Sequence, residues 1–192
     1  MTEPMPVPNG ATGQEPPAFS IRRAGGADAA ALAALAAETF PLACPPHTLP
    51  ESIAAFIAEH LSETSFDGYL ADPDRVLFVA EGDGRALGYT MLIVSEPKDP
   101  DVAAAVTARP TAELSKVYVR EGYHGGGLAS RLVAASVEAA RDRGAVTVWL
   151  GVNQENARAN RFYEKQGFGL VGTKRFLVGE RYEDDFVRQL SL

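Results

Sequence analysis

The stretch EGYHGGGLA, from Glu121 to Ala129, sets three consecutive glycines immediately before an amphipathic run. A glycine inside a helix or strand loses more backbone entropy than any other residue, so this run belongs to a loop or to the mouth of a helix. Upstream, TAELSKVYV ends at Val119 and reads as a strand. Downstream, Gly127 to Arg143 carries Leu128, Leu132, Val133, Val137 and Ala140 as one buried stripe, and Gly144 supplies a stop. A helix N-terminus exposes unpaired N–H groups and a partial positive charge, and glycines let an anion approach without a Cβ in the way. The segment is therefore a candidate phosphate cradle. The same residues would also make a tight turn.

Working outward, FSIRR alternates as a strand, and GGADAAALAALAAETF continues as a helix with Asp28 as its N-cap. A loop is predicted from Pro41 to Pro50. ESIAAFIAEHL then places Ile53, Phe56, Ile57 and Leu61 on one helical face, and a weaker helix continues toward Leu70. RVLFVAEGDGRALGYTMLIVSE reads as a hairpin about Gly-Asp-Gly, followed by a loop through Pro97, Pro100 and Pro110. After the glycine run and its helix come a short buried strand, VTVWLGV, a helix in ENARANRFYEKQGF, and a closing hairpin, LVGTKRFLVG with YEDDFVRQL. The order βα(α)βββαβαββ predicts an α/β (α+β) domain, a mixed sheet with helices on both faces.

The 192 residues fit one domain, with residues 1–17, rich in proline, as a flexible tail and residues 18–192 as the folded unit. No apolar run approaches the roughly 20 residues of a membrane span, and the first residues have neither a basic start nor an apolar middle, so the expected location is cytoplasmic. Cys44 is the single cysteine, which allows neither an intramolecular disulfide nor a multi-cysteine metal site. His47 and His60 are too isolated to read as metal ligands, and no metal is expected. The net charge of −7 is uneven: eight carboxylates and no Lys or Arg lie between Asp28 and Asp74. Nucleic acid and anionic lipid are poor partners for such a segment and a cation is a good one. A solvated helical surface is the plainer account of the same charges.

Two familiar phosphate loops fail on this sequence. The dinucleotide fingerprint needs its glycines at the first strand turn with an acid about 20 positions on, and the P-loop needs a Gly-Lys pair, which is absent. The pattern instead resembles the GNAT superfamily of N-acetyltransferases over roughly Phe19 to Leu190. The acyl-CoA loop of that family, Gln/Arg-x-x-Gly-x-Gly/Ala, falls on His124, Gly127 and Ala129, with histidine standing in for the usual arginine or glutamine. The second signature, NARANRFYEKQGF from Asn156 to Phe168, resembles the family's Asn-x-x-Ala-x-x-Phe-Tyr-Glu-Lys-x-Gly-Phe.

The resemblance implies a mostly antiparallel central sheet of about seven strands with one splayed parallel pair that holds CoA. It implies acetyl-CoA as cosubstrate, with the pantetheine arm along Val117, Tyr118 and Val119 and the pyrophosphate on the amides of Gly125, Gly126, Gly127, Leu128, Ala129 and Ser130. His124 donates to phosphate, with Arg120 or Arg131 supplying further charge. Asn156 starts the following helix and holds the CoA arm, or serves as a plain N-cap. Tyr163 protonates the leaving thiolate, or packs with Phe162. Glu113 acts as base toward the amine, usually through water, with Glu81 a second candidate. A free carboxylate is a poor base unless desolvated. The implied reaction is direct transfer of acetyl to a primary amine in a ternary complex, with no covalent intermediate on Cys44. In this fold the acceptor side is built largely from the acidic segment, which points to a polyamine or another cationic amine. A protein lysine or N-terminus, an acyl-CoA sensor with little turnover, and a homodimer are left open.

Overall fold

The computed structural model describes residues 19–192, so the tail expected over residues 1–17 lies outside the described residues. Strand β1 (Ser20–Arg23) leads through one 3-10 turn (Gly26–Asp28) into α1 (Ala29–Ala43). Asp28 stands at the N-cap position, but its carboxylate does not cap α1. It accepts from the Gly25 amide at 2.7 Å and from both terminal nitrogens of Arg22 at 2.7 and 2.8 Å. The helix also runs two residues past Pro41, where a loop was expected: a proline this near the end costs one helix bond, and the end still closes with the Cys44 amide on the Pro41 carbonyl.

Helices α2 (Pro50–His60) and α3 (Glu63–Ala71) follow, then the hairpin of β2 (Arg75–Gly82) and β3 (Arg85–Ile93). Its turn puts Asp83 and Gly84 at φ of 53° and 73°, the handedness that matches strand twist. The proline-rich loop expected next contains α4 (Pro100–Ala105). The Asp99 carboxylate accepts from the amides of Asp101 and Val102, and Pro100 sits in the first turn, where no amide is needed. Six residues are too few for helical periodicity to show in the sequence.

The second half comprises β4 (Thr111–Val119), α5 (Leu128–Asp142), β5 (Thr147–Asn153), α6 (Ala157–Lys165), β6 (Gly169–Val178) and β7 (Arg181–Ser191). All seven strands join one sheet in the order β1-β2-β3-β4-β5-β7-β6, antiparallel except between β4 and β5. Alternation along the strands divides the core. Leu77, Val79, Tyr89 and Met91 meet α1 and α3 on one face, while Ala80, Leu87, Leu92 and Leu114 meet α5 on the other. Gly88 sets how closely α5 can sit, since a Cβ there would lie 2.8 Å from the Leu128 side chain and 3.0 Å from the Tyr118 carbonyl. The first turn of α5 is thereby drawn down onto β3 and β4.

Candidate active site

The parallel pair β4–β5 is in register only at Thr111–Thr147, Ala112–Val148 and Glu113–Trp149. Beyond Glu113, β4 continues to Val119 paired with β3 alone. The departure has a local cause: Met91 faces Lys116 while Leu92 faces Leu114, so Ser115 is an extra residue in β4. Such a bulge bends and twists its strand. The bend falls where the parallel pairing stops, and it leaves one backbone edge of residues 114–119 without a strand. Two cavities open at this gap, one of about 390 Å³ and one of about 230 Å³. They share a wall made of Ala43, Val117, Tyr118, Asn156, Ala159 and Tyr163.

The larger cavity reaches the glycine loop. Gly125 and Gly127 have φ of 89° and 79°, a conformation that side chains resist, whereas Gly126 has an ordinary φ and nothing within 4 Å of where a Cβ would stand. The internal fold therefore explains two of the three glycines. The first α5 bond runs from the Arg131 amide to the Gly127 carbonyl at 3.0 Å, and among the described residues no amide from His124 to Ser130 donates to a protein acceptor. Seven consecutive N–H groups without a protein acceptor thus stand at the positive end of a 15-residue helix, and five of the seven residues line the larger cavity. His124 lines the same cavity, and burial lowers its pKa, with the nearby Arg158 charge second. Neither arginine proposed from sequence reaches this cavity. Arg120 pairs with Glu38, and Arg131 lies over the Phe19 ring at 4.6 Å. Arg158, on the first turn of α6, is the cation that lines it.

Helix α6 and its cap supply half of the shared wall, Asn156, Ala159 and Tyr163. The Asn156 side-chain oxygen accepts from the Ala159 amide at 3.0 Å, so it is an N-cap whose NH₂ remains available on the cavity side. Buried Arg188 of β7 fixes the helix from behind, donating to Asn160 Oδ1 at 3.0 Å, Glu164 Oε1 at 2.8 Å and the Phe168 carbonyl at 3.3 Å. Tyr163 is 9% exposed and meets Phe162 and Phe168 edge-on, so it does pack. Its hydroxyl nevertheless makes no hydrogen bond among the described residues, and burial raises its pKa, which keeps the phenol neutral.

The smaller cavity lies on the other side of the shared wall. Glu113 lines it at the last position where β4 pairs with β5, and burial raises its pKa against the pull of Lys174, Lys116 and Arg75. Glu81 is elsewhere, held by Arg22 at 2.6 and 3.0 Å. Of the acidic segment, none of the eight carboxylates lines this cleft. That segment contributes Phe40, Ala43, Cys44, Pro45 and Phe56 instead, because the apolar faces of α1 and α2 turn inward and their charges turn out. Asp28, Glu38, Asp72 and Asp74 pair with Arg22, Arg120, Arg75 and Arg143. The carboxylates of the cleft are Glu113 from β4 and Glu183 and Asp185 from β7.

Sequence reasoning missed Lys116, Lys174, Glu183 and Asp185. Glu183 and Asp185 are both 7% exposed, and their spacing of two residues puts them on one face of β7, a signal the run YEDDF contained. Burial pushes the Asp185 carboxyl up to about 6 and pulls the Lys116 ammonium down to about 8. His47, read as an ordinary loop residue, ties the α1–α2 loop to this wall through Nε2 and Glu183 Oε1 at 2.9 Å. Cys44 does line the cleft, but burial, reinforced by Glu183, pushes its thiol up to about 11. It is a protonated wall residue and a poor nucleophile.

Comparisons with known proteins agree with this layout. Residues 32–168 match the model of the acetyltransferase (GNAT) family. An uncharacterized N-acetyltransferase of Mycobacterium tuberculosis strain H37Rv is 48% identical over 160 residues, 83% of this chain and 95% of that protein. Among solved structures, the PaiA N-acetyltransferase of Thermoplasma acidophilum in complex with coenzyme A superposes with a TM-score of 0.72 at 19% identity, covering 91% of this chain and 99% of that one. A ribosomal-protein-alanine N-acetyltransferase of Brucella melitensis does so with a TM-score of 0.60 at 29% identity, over 90% and 99% of the two chains. The fold and its split parallel pair thus define an acyltransferase scaffold. The chain belongs to the GNAT acetyltransferase family and is an N-acetyltransferase. Among the described residues no helix is long and apolar enough to cross a membrane.

Proposed function

We propose that the protein transfers the acetyl group of acetyl-CoA to a primary amine by direct attack in a ternary complex. The observation that carries this reading is the wall shared by the two cavities, because it offers one place where a donor and an acceptor can meet across Tyr163 and Val117. On the donor side the amides of Gly125, Gly126, Gly127, Leu128, Ala129 and Ser130 receive the pyrophosphate, with His124 and Arg158 beside it. The free edge at Val117, Tyr118 and Val119 pairs with the pantetheine arm, and the Asn156 NH₂ holds it.

On the acceptor side the amine approaches as an ammonium ion attracted by Glu113, Glu183 and Asp185. It must lose a proton before its lone pair can attack the thioester carbon. Glu113, raised by burial, takes that proton directly or through water. As the C–S bond breaks, negative charge collects on sulfur, and Tyr163 donates its O–H there. Its pKa lies well above that of a thiol, so the phenol is a hydrogen-bond donor to the thiolate first and a proton source second. The Cys44 thiol stays protonated, which supports direct transfer over a relay through the enzyme. An amine panel with acetyl-CoA, read as release of free thiol, tests the proposal. Acetyl-CoA binding without thiol release for any amine would favour a sensor that binds the thioester and does not turn it over.

A further inference from the structure

The acceptor cleft contains charges of both signs that do not neutralise one another by contact. Glu113, Asp185, Lys116 and Lys174 all line it, and among the described residues none of the four side chains makes a hydrogen bond or an ion pair within 4.0 Å. At longer range the two lysine charges act on Glu113, and Lys174 acts on Asp185. Leaving a buried charge unpaired is expensive, and Asp185 is 7% exposed. The arrangement of Lys174 is built into the backbone. Its strand, β6, lies at the far edge of the sheet, and its stem crosses toward β5 over Gly151, where a Cβ would stand 2.5 Å from Lys174 Cε. The ammonium is flanked by the rings of Trp149 at 5.7 Å and Phe176 at 5.6 Å, and Asp185, its partner across the β6–β7 ladder, is the carboxylate beside it, though not within 4.0 Å. Lys116 is likewise held near an aromatic ring, that of Tyr69 at 5.9 Å.

A cleft with unpaired carboxylates and unpaired ammonium groups is complementary to a ligand that carries both. Resting on the acetyltransferase reading above, we infer that the acceptor is a small amine bearing an anionic group, of which a free amino acid is the simplest member: its ammonium faces Glu113 and Asp185 and its carboxylate faces Lys174 and Lys116. A purely polycationic acceptor would meet two lysines with nothing to offer them. The cavity, about 230 Å³, is also below the roughly 300–1,000 Å³ of pockets that enclose drug-sized ligands, which favours a small molecule over an extended chain.

The test compares amines matched except for the acid: leucine with isoamylamine and β-alanine with ethylamine, alongside spermidine and an alanine-initiated peptide. The wild-type protein is expected to favour each amino acid over its decarboxylated partner in kcat/KM by at least about tenfold, the low end of what a charge-assisted hydrogen bond contributes. Lys174→Met and Lys116→Met should shrink that ratio, chiefly through KM. A wild-type ratio near one or below it, a ratio unchanged in both variants, or a preference for spermidine or the peptide overturns the inference while leaving acetyl transfer standing. Calorimetry of leucine and isoamylamine into CoA-saturated protein decides it independently of turnover: tighter binding of leucine supports it, and equal or weaker binding overturns it. Failure of every amine to release thiol from bound acetyl-CoA would instead strike the acetyltransferase reading.

Discussion

Tyr163 has two jobs that can be separated. Its ring fills space between Phe162 and Phe168 while its hydroxyl is unpaired at the shared wall, so Tyr163→Phe keeps the packing and removes only the donor. Since hydrogen bonds to charged groups contribute about 1.5–3 kcal/mol, kcat should fall about 10- to 100-fold with KM for acetyl-CoA little changed, provided chemistry is rate-limiting. A kcat equal to wild type would assign Tyr163 to packing alone. For Glu113, burial predicts that the acidic limb of kcat/KM against pH lies above the usual carboxylate range and is lost in Glu113→Gln. Asp185 makes a thermodynamic prediction. With a folded value of about 6 against about 3.9 for an unfolded aspartate, the native state keeps its proton between those values after the unfolded state has lost it. Stability should therefore be fully supported below about pH 4 and fall as pH rises through 6, by about 3 kcal/mol. Asp185→Asn should flatten that slope in denaturant titrations at pH 4.5 and 7. The glycine run and Tyr163 were visible as candidates in the sequence because each sits inside a local motif, and Glu113 was visible only through the family resemblance. Lys174, Asp185 and His47 were not, since their meaning depends on strands and loops that meet only in three dimensions.

Among the elements, the loop before α5 offers the sharpest contrast between neighbouring positions. Gly127 is at φ 79°, so Gly127→Ala should cost roughly 1 kcal/mol of stability whatever its effect on ligand. Gly126 has an ordinary φ and open space around it, so Gly126→Ala should leave stability within about 0.5 kcal/mol and still weaken CoA binding. Calorimetry finding wild-type affinity in a folded Gly126→Ala protein would remove that glycine from the cradle. The long amphipathic and alternating segments could be read in the sequence, as could the hairpin at Asp83 and Gly84. What escaped was short or contextual: α4, with six residues, and the end of α1 from Pro41 to Ala43. The acidic segment shows the limit most clearly. Its charge was visible, but which way α1 and α2 face depends on the core they pack against, and that turned Phe40 and Phe56 inward and the carboxylates away from the cleft.

At the scale of the whole molecule, among the described residues β1-β2-β3-β4 joins β5-β7-β6 along the sheet through three parallel residue pairs, extended at one end by the Val146 amide on the Pro110 carbonyl at 2.8 Å. Hydrogen bonds from a pantetheine arm to residues 114–119 would extend that seam. Saturation at 100 times Kd stabilises a protein by about 2.7 kcal/mol, which for a chain of this size corresponds to a rise in melting temperature of roughly 5–10 °C. Amide exchange should slow at Val117 to Val119 and around Gly125 to Ser130 when CoA is added. Exchange that slows only at the glycine loop would mean that the arm does not lie along the strand. The seam also has a metabolic side. If the donor molecule serves as the missing length of strand, the protein is sturdiest when its own substrate is abundant and most open to proteases when that supply runs low. The lifetime of the enzyme in the cell would then track the acetyl-CoA pool without a separate regulator.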